Sequence, residues 1–354
     1  MTQVKQRLSE DLLDQKRFLA ESIMNEIYKA KSSLVSSYRK EMEAKCIQDL
    51  KYHIENLSEA IYLESQDLFI KYINWTSSVL ESRDIPKTQL IIGLECMKTV
   101  FEKELDSKNL DLASLYIDKG IEVLKLKDVD KSEMGHYSYI KDPIAKEYLE
   151  YLLNAERHKA NSLILNLISE GKPIKEIFLE IFQPVQYEIG RLWQINKISV
   201  AQEHYGTACT QSIISRLYPR ILSTEKIGNV MVATCISNEL HELGIRMVAD
   251  FFEMAGWDTY YLGANTPIES IIEYVVLKKA DLLAISATLM SHVSRVERLI
   301  RKIRDSEEVK NVKIIVGGYP FNRIPELWKK IGADGFATNA IEAIEMGNSL
   351  LLGE

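Results

Sequence analysis

Three short groups of residues in the last third of the chain have types and spacing that suit a metal-containing ligand. They are Glu239-Leu240-His241-Glu242-Leu243-Gly244, Ser286-Ala287-Thr288-Leu289 and Gly317-Gly318. The first group follows the apolar run Val230–Thr234, 41 residues (245–285) separate it from the second, and the third begins 28 residues (289–316) after Thr288. A histidine in a loop after a buried strand is how an α/β domain presents a metal ligand at its open edge.

This pattern resembles the cobalamin-binding domain, whose motif is an acidic residue, any residue, His, two residues and Gly, then Ser-x-Leu/Thr and Gly-Gly. Here the acidic residue is Glu239, where Asp is commoner. Each part alone is a weak signal, and the three parts at matching spacing are a specific one. The alternative for His241 is a surface histidine at the start of a helix.

The resemblance implies a role for each group. Cobalt in a corrin ring has four equatorial nitrogens, so His241 would supply a lower axial ligand, and Glu239 would accept the other ring N–H. Ser286 and Thr288 would hydrogen-bond the displaced nucleotide tail. The remaining motif positions would line the ligand, the glycines by allowing close backbone approach; they are Gly244, Leu289, Gly317 and Gly318.

Composition favours a globular chain of two or three domains within 354 residues. A net charge of −7 disfavours a nucleic-acid surface. The four cysteines lack CxxC spacing, so we expect them to be reduced. No apolar stretch approaches a membrane span, and the N-terminus is too charged for a signal peptide. We therefore expect a cytoplasmic protein with no membrane or direct nucleic-acid partner.

Residues 226–354 are predicted to form a Rossmann-like cobalamin-binding domain. Strands are predicted at Val230–Thr234, Trp257–Leu262, Asp281–Ala287, Val312–Val316 and Gly335–Thr338, each followed by a helix. Five such units imply a doubly wound parallel sheet with ligands beyond the carboxyl ends of the strands. One helix is predicted to open with Thr266-Pro267-Ile268-Glu269 as a capping box.

Residues 143–225 are predicted to form a four-helix bundle that caps the cobalamin. We predict one helix over 145–168, a second over 174–192 that Pro184 either kinks or breaks, and a third that starts at about the N-cap Ser199 and ends at Leu217. Trp193 is followed by nine residues and then by Glu203-His204.

That constellation resembles the helical domain of the cobalamin photoreceptors, which use adenosylcobalamin. The resemblance covers roughly residues 145–345. It implies that Trp193 packs over the upper corrin face, that Glu203 accepts hydrogen bonds from the ligand, and that His204 becomes the upper axial ligand of cobalt after light. The alternative makes Trp193 a core aromatic and Glu203-His204 an ordinary helix start.

Residues 1–142 are predicted to be an all-α sensor or partner domain, without the DNA-binding module of the light-responsive repressors. Leu8, Leu12, Leu19, Ile23 and Ile27 suggest an apolar helix face. An all-α domain before a cobalamin photosensor resembles the photocobilins, which also bind biliverdin. Candidates for a bilin site are His53, Tyr62, Tyr72, Trp75 and Arg83. The alternative is an ordinary helical core.

We therefore expect a non-enzymatic light sensor that binds adenosylcobalamin, together with biliverdin. Its expected output is light-dependent homo-oligomer assembly, with an unknown protein effector. The main alternative is a corrinoid carrier protein of a methyltransferase system, which shares the bundle, the sheet and the axial histidine. A third is a light-independent cobalamin- or haem-sensing antirepressor. A radical mutase is disfavoured, because no barrel-sized catalytic domain fits in the chain.

Overall fold

The computed structural model describes residues 3–30, 40–126, 139–324 and 326–352. The chain divides into two compact units, Met1–Met134 and Gly135–Glu354. The predicted mixed fold is confirmed, with an all-α region before a parallel sheet. Within the described residues, no helix is both long enough and apolar enough to span a membrane.

The first unit is helical throughout its described part. Its helices are α1 Gln3–Asp14, α2 Lys16–Ala30, α3 Lys40–Tyr62, α4 Gln66–Glu81, α5 Lys87–Glu104 and α6 Ser107–Lys125. The predicted apolar face is divided between α1 and α2, which bury Leu8, Leu12, Leu19 and Ile23. Helical spacing of apolar residues therefore decides which side of each helix faces the core.

The second unit begins with a helical bundle. Its helices are α7 Pro143–Leu153, α8 Arg157–Ser169, α9 Ile174–Glu176, a π-helical turn Ile177–Phe182, α10 Gln183–Gln194 and α11 Val200–Ile221. The π-helical turn ends two residues before Pro184, which lacks an N–H and therefore cannot take part in the regular helical hydrogen-bond ladder. Ser199 caps α11 and forms a capping box with Gln202.

Three sequence predictions about helix ends were wrong. The single helix over 145–168 is broken between α7 and α8, where Ala155 takes a φ of 58°. The helix predicted to end at Leu217 continues through Pro219 to Ile221. The capping box at Thr266 does not form, because Pro267 is the N-cap of the following helix and no side chain caps it.

The sheet that follows is wholly parallel, with strand order β2-β1-β3-β4-β5. The strands are β1 Val230–Cys235, β2 Asp258–Tyr261, β3 Leu282–Ser286, β4 Lys313–Gly317 and β5 Gly335–Phe336. The helices between and after them are α12 Leu243–Met254, α13 Ile268–Lys278, α14 Val293–Arg304, α15 Tyr319–Arg323, α16 Leu327–Lys330 and α17 Ala340–Leu352. The buried strands are runs of apolar residues, as expected for a sheet covered on both faces.

Helix α12 belongs to two hydrophobic cores. One side of the helix packs into the core of the helical bundle, and another side packs into the core beneath the sheet. The first set is Leu243, Met247 and Phe251, and the second is Ile245, Ala249 and Phe252. Because α12 begins two residues after His241, the loop that carries this histidine is anchored to both cores.

Candidate functional site

The three motif groups meet at one edge of the sheet. Cys235 at the end of β1 pairs with Ser286 at the end of β3, which in turn pairs with Gly317 at the end of β4. The strand order reverses direction between β1 and β3, and the crevice outside such a switch point is where ligands bind in open parallel sheets. The loops after β1, β3 and β4 therefore surround a common position.

The centre of this edge is the carboxylate of Glu239, which has no solvent exposure. Its Oε1 atom accepts hydrogen bonds from the backbone N–H of His241, at 3.0 Å, and from Nδ1 of that residue, at 2.5 Å. Its Oε2 atom accepts from the backbone N–H groups of Thr288, at 2.7 Å, and Leu289, at 3.2 Å. One side chain thus ties the β1 loop to the β3 loop.

These bonds determine the ionisation of Glu239. Burial alone would raise the pKa of its carboxyl group, but hydrogen bonds from His241, His292 and the Thr288 N–H hold that pKa well below its usual range. The carboxylate is therefore ionised and only accepts hydrogen bonds. Each histidine Nδ1 that contacts it must be a protonated donor.

The imidazole of His241 is consequently oriented with Nε2 as its available metal-binding nitrogen. The hydrogen bond to Glu239 raises the pKa of His241, while burial acts in the opposite direction. Nδ1 keeps its proton in either charge state, and the side chain is 58% exposed. A carboxylate behind an imidazole is the usual arrangement for fixing the tautomer of a metal-binding histidine.

A second histidine, His292, shares the same carboxylate, although it belongs to none of the three motif groups. It ends the short 3₁₀ turn Met290–His292, is only 4% exposed, and places Nδ1 3.0 Å from Oε2 of Glu239. In the sequence it is only a histidine a few residues after Ser286. Its contact with Glu239 joins positions far apart in the chain, so no local pattern marks it.

The three glycines at this edge differ in how closely other atoms approach them. Gly318 has a φ of 105°, and a Cβ there would lie 2.0 Å from the carbonyl oxygen of Ala287, so the β3 and β4 loops meet too closely for any side chain. At Gly317 a Cβ would lie 3.3 Å from the Ala337 carbonyl oxygen. At Gly244 a Cβ would meet no atom within 4 Å, so the fold itself does not require glycine there.

The neighbouring carboxylate, Glu242, connects the helical bundle with the sheet. Its Oε1 accepts from the Gln211 amide of α11 at 3.0 Å. Its Oε2 accepts from the Tyr261 hydroxyl at 2.9 Å and from the Ala264 N–H at 3.0 Å. The bundle is therefore hydrogen-bonded to the residue that follows His241.

The bundle residues singled out by the sequence lie on α10 and α11. Trp193 is partly buried against the bundle core. His204 is 75% exposed, and its Nε2 lies 3.3 Å from a carboxylate oxygen of Glu203. The charge of Glu203 also helps to raise the pKa of His241, after the larger effect of Glu239, which indicates that this end of α11 faces the β1 loop.

The donor set fits a corrin-bound cobalt. A single imidazole, half-exposed and backed by a buried carboxylate, suits a metal whose other ligands come with its cofactor. The open space beside Gly244 leaves room for a large ligand at the same edge. Ser286 is half-buried at the end of β3, beside both loops.

In the first unit, three of the five bilin candidates lie together. His53 and Tyr72 share a hydrogen bond of 2.6 Å between Nδ1 and the hydroxyl, and the Tyr72 ring lies 6.4 Å from that of Trp75. Burial lowers the pKa of His53 to about 4, so this histidine is neutral. Tyr62 is buried at the end of α3, and Arg83 donates to the Val79 carbonyl after α4.

Comparison with known families agrees with the geometry of the second unit. Residues 229–345 match a family model described as a B12 binding domain, and residues 144–218 match a second model of the same description. These matches support the assignment of the chain to the cobalamin-binding proteins. The bundle and the sheet each have their own match.

Among individual proteins, the chain is similar to corrinoid proteins of Methanosarcina species. It is 29% identical over 144 residues to the dimethylamine corrinoid protein 2 of Methanosarcina acetivorans, covering 40% of this chain and 65% of that protein. It is 29% identical over 170 residues to the dimethylamine corrinoid protein of Methanosarcina barkeri, covering 47% and 76%. The chain thus spans slightly less than two thirds of the first of these relatives.

A solved structure supports the fold. The monomethylamine corrinoid protein of Methanosarcina barkeri superposes with a TM-score of 0.52 at 20% identity, covering 59% of this chain and 98% of that one. The similarity is one of architecture, because the identity is low.

Proposed function

We propose that this protein is a corrinoid carrier that binds cobalamin through His241 and presents it to a methyltransferase partner. The observation on which the binding rests is the contact of the buried Glu239 carboxylate with Nδ1 of His241. The carrier role, an alternative in the sequence analysis, is supported by the corrinoid proteins to which the chain is similar. A carrier has no catalytic activity of its own, in line with the expected absence of enzyme activity.

The chain's own residues would divide the work as follows. Glu239 keeps the proton on Nδ1 of His241, so that Nε2 would be the atom that holds cobalt. The open space at Gly244 would admit the cofactor, and Ser286 would supply a hydroxyl for its tail. Cobalamin, when bound, would supply a cobalt centre that takes up and releases an alkyl group.

Light sensing with adenosylcobalamin is the second candidate function. The observation that favours it is the group of Trp193, Glu203 and His204. The exposed His204 offers a second imidazole beside Glu203, whose charge helps to raise the pKa of His241. In this case the output would be light-dependent self-assembly acting on a protein effector. The ring cluster of His53, Tyr72 and Trp75 would be the place to test for biliverdin.

The experiment that tests cobalamin binding compares wild type with His241→Ala, loaded in the dark with methylcobalamin or adenosylcobalamin. We expect wild type to bind with an axial nitrogen, detected by visible absorption and by electron paramagnetic resonance of the cobalt(II) form. His241→Ala should lose that nitrogen signal. Identical spectra for the two proteins would remove His241 as a ligand.

Illumination of the same samples separates the two candidate functions. A carrier should prefer methylcobalamin and should give no stable new ligation after green light. A light sensor should prefer adenosylcobalamin and give a stable product that His204→Ala abolishes. A red absorption band after addition of biliverdin would further support the sensor, and its absence would remove the bilin from the proposal.

A further inference from the structure

His292 is a buried histidine outside the three motif groups. It lies at the end of a single 3₁₀ turn, directly before α14, and is 4% exposed. Its Nδ1 atom lies 3.0 Å from Oε2 of Glu239, the same oxygen that accepts from the Thr288 and Leu289 N–H groups. The two oxygens of Glu239 are thus divided between two imidazoles, His241 on one and His292 on the other.

The length of the Glu239 side chain explains why a second anchor matters. A glutamate has one methylene more than an aspartate, so its carboxylate can extend from the β1 loop to the 3₁₀ turn beyond β3. The additional torsion also gives it more rotamers, and an unrestrained carboxylate would hold the His241 ring less firmly. The contact with His292 restricts that freedom from the opposite side.

We propose that His292 is a positioning residue for His241, acting through Glu239. By fixing Oε2, it places Oε1 where it holds Nδ1–H of His241 and leaves Nε2 directed at the ligand. This proposal rests on the proposed binding of cobalamin by His241. Glu239 and His292 therefore act as one unit, and the loss of either should have much the same effect as the loss of both.

The experiment uses two substitutions that differ in one property. His292→Leu removes the donor and keeps an apolar side chain of similar size, whereas His292→Asn keeps an N–H donor near the position of Nδ1. We expect His292→Leu to weaken binding of methylcobalamin by about 10- to 100-fold, as for other groups that orient a metal-binding histidine. His292→Asn should restore most of that affinity.

A second measurement needs no cofactor. Nitrogen-15 resonances of histidine in the metal-free protein report the tautomer of each ring, and His241→Ala identifies the signal of His241. We expect a single Nδ1–H tautomer for His241 in wild type and His292→Asn, and a mixture of tautomers in His292→Leu. This measurement also tests the positioning role if wild type binds no cobalamin, so that the two proposals fail separately.

Non-additivity provides the final test. Glu239→Asp and His292→Leu should each reduce the affinity for methylcobalamin. The affinity of the double variant should lie within about twofold of that of the weaker-binding single variant. Thermal melts of the metal-free variants exclude loss of folding as the cause. The proposal is overturned if His292→Leu keeps both the wild-type affinity and a single His241 tautomer, or if the two losses simply multiply.

Discussion

Replacing Glu239 by Gln should disable His241 without altering the histidine itself. The Oε2 position of Glu239 faces two backbone N–H groups, of Thr288 and Leu289. A backbone N–H cannot change its role, so the amide oxygen of Gln must occupy this position and the NH₂ group must replace Oε1. The NH₂ then faces Nδ1 of His241. To accept from it, the imidazole must carry its proton on Nε2, where it blocks metal binding.

The magnitude follows from the contacts at Oε1. The backbone N–H of His241, 3.0 Å from this atom, would face an NH₂ group and lose its acceptor. A buried donor without an acceptor costs about 1–3 kcal/mol, so the free energy of unfolding of the metal-free variant should fall by about that amount. Affinity for cobalamin should fall by about 10- to 100-fold.

The neighbouring carboxylate provides a matched control. In Glu242→Gln, the amide oxygen can still accept from Tyr261 and Ala264, and the new NH₂ faces the Gln211 amide, which can turn over to accept it. We therefore expect nearly unchanged cobalamin binding in this variant. Titration with methylcobalamin, with resonance detection of an axial nitrogen, distinguishes the two. The reasoning is refuted if Glu239→Gln retains the axial nitrogen signal and wild-type affinity.

Three further predictions, each tested by one or two substitutions, concern the stability of the fold. Burial raises the pKa of Asp250 from its ordinary value of 3.8 to about 6. Below pH 3.8 the carboxyl group is protonated in both the folded and the unfolded protein and wild type has its full stability. As the pH rises through 6 that stability is lost, because the buried group must ionise. Asp250→Asn should therefore be more stable than wild type by about 3 kcal/mol at pH 8 and by about 1 kcal/mol at pH 4.5, measured by urea unfolding. Gly318→Ala should lower the free energy of unfolding by at least about 2 kcal/mol in the same assay, because its Cβ would overlap the Ala287 carbonyl oxygen. As a control, Gly190→Ala should raise the free energy of unfolding by about 1 kcal/mol, because Gly190 lies within α10 and a Cβ there meets no other atom. Ser199→Ala should cost about 1 kcal/mol by removing the N-cap of α11, and Ser199→Thr should retain most of it.

Each of these expectations has a clear contrary result. A stability gain in Asp250→Asn that does not change with pH would show that the pKa of Asp250 is not raised. Equal effects of alanine at Gly318 and Gly190 would contradict the tight contact between the β3 and β4 loops. Wild-type stability in Ser199→Ala would mean that the α11 cap contributes nothing.

Local signals in the sequence were sufficient for the sheet and for the partner of His241. The central strands β1, β3 and β4 are mainly apolar runs, so the edge of the sheet at which they end could be predicted. The start of α11 at Ser199 was equally local. The break at Ala155 was missed because no glycine or proline marks it, although the chain there adopts a left-handed conformation.

His292 could not be predicted for a different reason. Its partner, Glu239, belongs to another loop, and only the pairing of β1 with β3 brings the two loops together. The capping box predicted at Thr266 does not form, because the N-cap of that helix is Pro267 and not Thr266. Contacts that depend on strand order are therefore read from the fold and not from spacing along the chain.

The position of α12 in two cores has a consequence for how the protein can be divided. Two separate family models cover the bundle and the sheet, yet Leu243, Met247 and Phe251 come from the sheet region and complete the interior of the bundle. A fragment that ends at Ile221 would therefore lack part of its own interior and expose the apolar surface that α12 covers. A chimeric protein must therefore take the bundle and the sheet from the same parent, or rebuild the contacts of α12 with the new bundle.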